Sequence, residues 1–128
     1  MVNNITVQGL SQFIGTEKHY RHPLCRGVLY TDGIRYLIEN GAAWLADAVA
    51  SHLACTPDLA EKCGGTLFFT LTVNEDNTAV LVGCVDKGKP PLVEQSIEYT
   101  DFPLKEQSIW ASIGGDNGEW VMHLPSEY

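Results

Sequence analysis

The spacing of apolar residues divides the chain into a helical part and a strand-forming part. From Thr31 onward, apolar residues recur every three or four positions, as on the buried side of an amphipathic helix. Thr31 can cap a first helix, and the Asn-Gly pair at 40–41 can end it in a left-handed conformation. The alanine-rich residues 42–55 predict a second helix. A third helix, of about two turns, is predicted from the Thr-Pro-Asp start at 56–58 to the Gly-Gly pair at 64–65.

After residue 65 the apolar period shortens to two, which is the period of a strand with one buried side. Alternating runs, and one run that is apolar on both faces, predict strands over 66–73, 79–85, 93–100, 109–113 and 120–124. In the third of these strands Val93, Ile97 and Tyr99 alternate with Glu94 and Glu98, so the glutamates are expected on the exposed side. The whole pattern predicts an α+β fold in two layers, with N-terminal helices packed on an antiparallel meander sheet of about five strands.

Length and composition fit a single domain that spans residues 1–128. The chain is 45% hydrophobic and 19% charged, which is near ordinary globular usage. Its opening residues lack the basic and apolar regions of an export signal, and no apolar run approaches the length of a bilayer span. We therefore expect a cytoplasmic protein without a membrane segment. Its four cysteines are expected to remain thiols: Cys25, Cys55, Cys63 and Cys84.

The net charge of −8 is unevenly distributed along the chain. Residues 1–31 carry three basic side chains and one acidic side chain, a balance of +2, so the remainder carries −10. Direct nucleic-acid binding is not expected, because it requires Lys and Arg clustered over a sizeable surface. An acidic body with one small basic segment fits a protein partner better.

The stretch from residue 15 to residue 27 places His19, His22 and Cys25 three positions apart. These are zinc-ligand residue types, but residues three apart on an extended segment point to opposite faces. Cys55 and Cys63 do not form the close doublet typical of structural zinc sites either. We predict no metal site and no cofactor. Without a recognisable catalytic motif no catalytic residue is assigned. A metal-dependent or Cys/His enzyme that uses the segment of His19, His22 and Cys25 is the first alternative function.

The same stretch can be interpreted as a binding loop or as a structural tie. Flat rings and cations occur together where proteins bind carboxylates, phosphates or bases. The candidate binding residues are His19, Tyr20, Arg21 and His22. In the structural interpretation, Glu17 pairs with Arg21, and Arg21 or Arg26 bonds to Asp32, so that the segment is held across the first helix. We favour the tie, because an extended segment before a helix needs partners for its backbone.

A second candidate binding surface is the acidic row of the predicted 93–100 strand and its exit. Glu94 and Glu98 share the outer side at four-residue spacing, and Asp101 follows. Such a row can oppose a basic groove on a partner and accelerate association. Alternatively, it is a solvated sheet face or a guard against edge-to-edge pairing.

Four segments resemble a family of short uncharacterised proteins found in bacterial and bacteriophage genomes. They are FIGTEKHYRHPL, YTDGIRYLIENGAAWLADAVASH, YTDFPL and LPSEY. The resemblance implies an accessory protein of a phage or mobile element, similar as a class to inhibitors of host defence such as anti-CRISPR proteins. On this basis the expected function is protein–protein contact with a host or phage protein. A structural subunit of a homo-oligomer is the second alternative.

Overall fold

The computed structural model describes residues 5–6, 9–10, 12, 19–25, 27–56, 58–86, 90–114 and 118–127. Within them a seven-stranded sheet carries a layer of helices. The strands are β1 (His19–Arg21), β2 (Val28–Thr31), β3 (Thr66–Val73), β4 (Ala79–Cys84), β5 (Val93–Ile97), β6 (Glu106–Ile113) and β7 (Trp120–His123). The helices are α1 (Asp32–Leu37), α2 (Ala43–Cys55) and α3 (Leu59–Cys63), with a kinked segment (Ile38–Ala42) between α1 and α2 that contains two residues of non-helical conformation, and a closing 3₁₀ turn (Pro125–Glu127).

The hydrophobic core lies between the helices and one face of the sheet. On β3, alternate residues are fully buried while those between them are half-buried or exposed. Phe69 is one of the buried residues, and its ring centroid lies 6.5 Å from that of His52 on α2. This contact places α2 over the Phe69 side of the sheet, and none of the described helices packs on the other side. The predicted α+β class is confirmed.

The sheet is not a simple meander. Its order is β1-β2-β7-β6-β3-β4-β5, so β6 lies beside β3 rather than beside β5. Three successively paired strands followed by one that returns beside the first form a Greek key. The return segment crosses the end of the β3–β4 hairpin, where the Thr100 N–H donates to the Asn77 carbonyl at 2.8 Å. The predicted meander is therefore wrong. The chain leaves β5, crosses the β3–β4 hairpin and continues into β6, which pairs with β3 and not with β5.

Two further strands, β1 and β2, extend the sheet beyond the predicted number of about five. β2 pairs in parallel with β7, and β1 pairs antiparallel with β2, with Tyr20 opposite Tyr30. β1 has three residues and β2 has four. Such short runs carry little alternation, so no sequence pattern predicts them. β2 forms because β7 offers an edge on which its backbone groups find partners, and β1 then pairs along the other side of β2.

The N-terminus of α1 is capped by a residue from the opposite end of the chain. Thr31 occupies the predicted cap position, but its side chain makes no bond to the helix. Its hydroxyl donates instead to Glu127 Oε1 at 2.7 Å, an oxygen that also accepts the Leu124 N–H at 2.9 Å. Glu127 Oε2 accepts the Gly33 N–H at 3.1 Å. A buried carboxylate therefore accepts a hydrogen bond from a first-turn N–H group of α1. Its negative charge also interacts favourably with the positive end of the helix dipole.

Glu127 occupies the space in which a side chain at position 33 would lie. A Cβ at position 33 would lie 2.3 Å from Glu127 Oε1 and 2.6 Å from Leu124 Cδ1. Gly-to-Ala changes inside helices ordinarily stabilise by about 1 kcal/mol. Here we expect Gly33→Ala to destabilise by about 1–3 kcal/mol, because overpacking displaces the cap.

Urea unfolding of the Gly33→Ala variant tests whether the change lowers the free energy of unfolding instead of raising it. Gly27→Ala is the matched control, since a Cβ there would meet no atom within 4 Å. A Gly33→Ala protein as stable as the wild type would show that the carboxylate is not fixed in this place.

The ends of the remaining helices follow the predictions in part. Gly41 has a φ of 105° and interrupts the helical path as predicted. α3 is shorter than the two turns expected, because Asp58 has a left-handed φ of 57° and precedes the helix instead of lying in its first turn. The predicted proline start at position 57 lies outside the described residues. Gly64 ends α3 with a φ of 70°.

Candidate functional site

Tyr20 is the centre of a polar network that joins β1 to α1. Its hydroxyl donates to Asp32 Oδ1 at 2.7 Å and accepts a hydrogen bond from Arg35 Nη1 at 3.0 Å. Arg35 also bonds to Glu39 at 2.6 Å and lies 4.9 Å above the Tyr20 ring. The bond to Tyr20 and the ion pair with Glu39 raise the pKa of Arg35 above its ordinary value. The network ties β1 to the first helix, as the structural interpretation expected, but through Tyr20 rather than through a salt bridge.

His22 is buried beneath α2 and both of its ring nitrogens have partners. Nδ1 accepts the backbone N–H groups of Leu24 and Cys25, each at 3.1 Å. Because Nδ1 is an acceptor, we assign the ring proton to Nε2, which bonds to Asp47 Oδ1 at 2.7 Å. Two backbone donors engage Nδ1, so the visible role of His22 is to hold the turn that follows β1.

The other residues of the predicted binding loop are more accessible than His22. His19 is exposed, and Arg21 is half-exposed with an ion pair to Glu119 at 2.6 Å. The turn held by His22 presents Leu24, whose exposed fraction is 81%. The ties proposed from Glu17 and Arg26 lie outside the described residues.

His19, His22 and Cys25 do not converge on a common point in the way that a metal centre requires. Within the described part of the chain, no group of three or more His, Cys, Asp or Glu side chains is placed to hold a metal ion. Cys25 and the other three cysteines are free thiols, of which Cys55 is exposed and Cys63 is buried.

The acidic row lies at the opposite end of the sheet from β1. β5 is the last strand in the sheet order, and Glu94, Gln95 and Ser96 are all exposed. Gln95 lies in register with buried Leu81, on the side of the helices, yet it remains exposed and bonds to His52 at 2.7 Å. The two predicted binding surfaces are therefore separate, and no single partner contact of ordinary size needs to include both.

Tyr99 is exposed, although alternation predicted it on the buried side. β5 ends at Ile97, and after this point the inward position passes to Thr100, which is buried. Thr100 also accepts the Phe102 N–H on its hydroxyl at 3.1 Å. As a result Tyr99 points outward with an exposed fraction of 69%, beside exposed Glu98. The sequence signal that could have shown this is the β-turn composition of residues 98–103, which ends the strand early.

We define the acidic edge as β5 together with Glu98, Tyr99 and Asp101. All three of its carboxylates are exposed. Residues 90–104 contain three acidic side chains and neither lysine nor arginine, so this segment carries a charge of −3. The acidic edge thus combines an open strand, an exposed aromatic ring and negative charge.

Two other features of the described surface are weaker candidates for a binding site. A groove of about 320 Å³ beside α1 is lined by Asp32, Arg35, Tyr36, Glu39 and Asn40. It is shallow, and its only cation already bonds to Tyr20 and Glu39. On the face without helices, Phe68 and Trp110 pack edge to face at 5.0 Å, but both rings are half-buried.

Taken as a class, this is an α+β protein with a helix layer on one side of a mixed sheet and an acidic edge at one end. A model of a family of unknown function, DUF6876, matches residues 4–128. The chain belongs to this family. Comparison with curated proteins finds no match, and comparison with solved structures finds none either.

None of the helices in the described ranges is both long and apolar enough to cross a lipid bilayer. The longest, α2, has 13 residues, and several of them are polar or charged.

Proposed function

We propose that this protein is a small binding factor that acts by contact between its acidic edge and another protein. The observation that carries the proposal is Tyr99, an exposed aromatic side chain beside an open edge strand and among exposed carboxylates. Tyrosine is enriched at protein interfaces, where its ring supplies buried area and its hydroxyl a hydrogen bond. An exposed tyrosine in this setting is a typical anchor for a partner.

The charge of the acidic edge defines the chemistry of the partner. Three exposed carboxylates in residues 90–104, a segment that itself contains neither lysine nor arginine, favour a surface rich in lysine or arginine. The net charge of −8 strengthens this preference over longer distances and disfavours direct contact with nucleic acid. The partner we propose is therefore a basic protein surface.

We place this contact in the setting of a bacteriophage or mobile genetic element. A protein that presents carboxylates to a basic surface can occupy a groove that otherwise holds nucleic acid. This is the expected mode of a phage or mobile-element factor that inhibits a host defence protein, including CRISPR effectors. The resemblance of the four sequence segments supports this setting, and the geometry of the acidic edge is compatible with it.

Photo-crosslinking from position 99 tests the proposal. Tyr99 is replaced by p-benzoylphenylalanine, and the protein is irradiated in lysate of the bacterial host. The matched control carries the same group at Glu61, an exposed position on α3. We expect one host or phage protein to be crosslinked from position 99 and not from position 61. Crosslinks to a second copy of this chain, or identical crosslinks from both positions, would contradict the proposal.

Charge reversal gives the quantitative prediction. Glu94→Lys, Glu98→Lys and Asp101→Lys combined should weaken binding of the crosslinked partner at least tenfold, about 1.4 kcal/mol, and remove its salt dependence. The measurement is titration calorimetry at two salt concentrations. The control combines Glu61→Lys, Glu75→Lys and Glu106→Lys, which alters the net charge equally at other exposed positions. Equal weakening in both triple variants would show that only net charge matters.

A further inference from the structure

β5 is an edge strand and is more open than the central strands of the sheet. Its three central residues are exposed, whereas β3, β4 and β6 each bury every second residue. β4 pairs along one side of β5, and no described strand pairs along the other. The backbone N–H and C=O groups on that free side are therefore available to an added strand.

The side chains of β5 disfavour a second copy of this chain as the added strand. In a parallel pairing in register, each Glu94 would lie directly beside the same residue of the other copy. In an antiparallel pairing centred on Gln95, the two Glu94 side chains would be diagonal neighbours on one face. Like charges that lie directly opposite are destabilising, and diagonal neighbours are still within reach of long side chains. A strand with lysine or arginine at these positions would instead form favourable pairs.

We infer that the acidic edge binds its partner by strand addition, in which an extended basic segment pairs with the free side of β5. The inference rests on the proposed function and specifies the mode of contact. Backbone hydrogen bonds would supply affinity, and Glu94 and Glu98 would select lysine or arginine on the added strand. Tyr99, just beyond the end of β5, would cover the end of that strand.

Three synthetic peptides with identical charge test strand addition. The first alternates lysine and valine over ten residues. The second is N-methylated on every second residue, so that one edge of the peptide still donates hydrogen bonds. The third is N-methylated on every residue and donates none. Fluorescence anisotropy measures the affinity of each labelled peptide, and amide hydrogen exchange reports protection of Val93–Ile97.

We expect the first two peptides to bind with similar affinity and to slow exchange in β5. The fully methylated peptide should bind at least tenfold more weakly, because it retains the charges but lacks the backbone donors. A peptide with glutamate in place of lysine should not bind.

Equal binding of the fully methylated peptide, or no binding of any peptide at concentrations up to about 1 mM, would overturn strand addition. So would binding without protection of β5. These results leave the proposed function to its own test, since crosslinking from Tyr99 and the charge-reversal variants measure contact with the natural partner and need no added strand. Loss of the crosslink would in turn overturn the proposed function whatever the peptides do.

Discussion

Replacing Glu127 by alanine is expected to lower the free energy of unfolding by about 3–4 kcal/mol. The change removes the acceptor of three hydrogen bonds, from the Thr31 hydroxyl and from the N–H groups of Gly33 and Leu124. Hydrogen bonds to a charged group are worth about 1.5–3 kcal/mol each, and donors left buried add a desolvation cost. Partial entry of water into the space limits the total. A domain of this size has a stability of only about 5–15 kcal/mol, so the loss is severe.

Urea unfolding followed by tryptophan fluorescence measures the effect of Glu127→Ala. Ser126→Ala, at an exposed neighbour in the same 3₁₀ turn, should change stability by less than about 0.5 kcal/mol. Glu127→Gln should lie between the two, since its oxygen can keep the bonds of Thr31 and Leu124 while its amide opposes the Gly33 N–H. A loss in Glu127→Ala no larger than in Ser126→Ala would refute the capping role.

Replacing His22 by alanine is expected to cost about 2–4 kcal/mol of stability. The imidazole is buried, accepts the N–H groups of Leu24 and Cys25 and donates to Asp47. Alanine leaves the two backbone donors without their acceptor and opens a cavity the size of the ring. The turn after β1 should lose its fixed form, and amide hydrogen exchange at Leu24 and Cys25 should accelerate along with the drop in unfolding free energy.

Two further variants separate the roles of the two ring nitrogens of His22. His22→Asn should retain part of the stability, because the asparagine oxygen takes the place of Nδ1 and can accept both N–H groups. Asp47→Ala should cost less than about 1 kcal/mol, since the Asp47 side chain is 53% exposed and water can replace it. If Asp47→Ala were as harmful as His22→Ala, the hydrogen bond to Asp47 and not the turn would be the important contact.

Helices and central strands of this protein were predictable because their apolar residues face one continuous core. The period of 3.6 over 42–55 and the alternation over 66–73 match α2 and β3 closely. Periodicity did not predict very short elements, or residues whose conformation depends on contacts elsewhere in the fold. β1 and β2 have too few residues for a pattern, and Asp58 takes a left-handed conformation that a propensity for the first helical turn does not predict.

The sequence predicted which charged residues of the candidate surfaces are exposed, but it did not predict how the side chains around them are arranged. Glu94 and Glu98 were expected to be exposed and they are. Tyr99 was missed because alternation was continued two residues past the end of β5, where Thr100 turns inward to bond with the β3–β4 hairpin. His22 was a candidate binding residue by type. Its two backbone donors, Leu24 and Cys25, lie in the turn directly after it, but Asp47 comes from α2, so only the folded structure shows that both nitrogens have partners.

By itself the sequence determined the class of fold, the acidic character of the surface and which segments form the core, because these depend on local period and composition. Tertiary structure decided the strand order, the separation of the two candidate surfaces and the capping of α1 by Glu127. Each of these depends on contacts between residues far apart in the chain, such as Gly33 and Glu127. Local patterns carry no information about which distant groups will meet, since that is set by how the elements pack together.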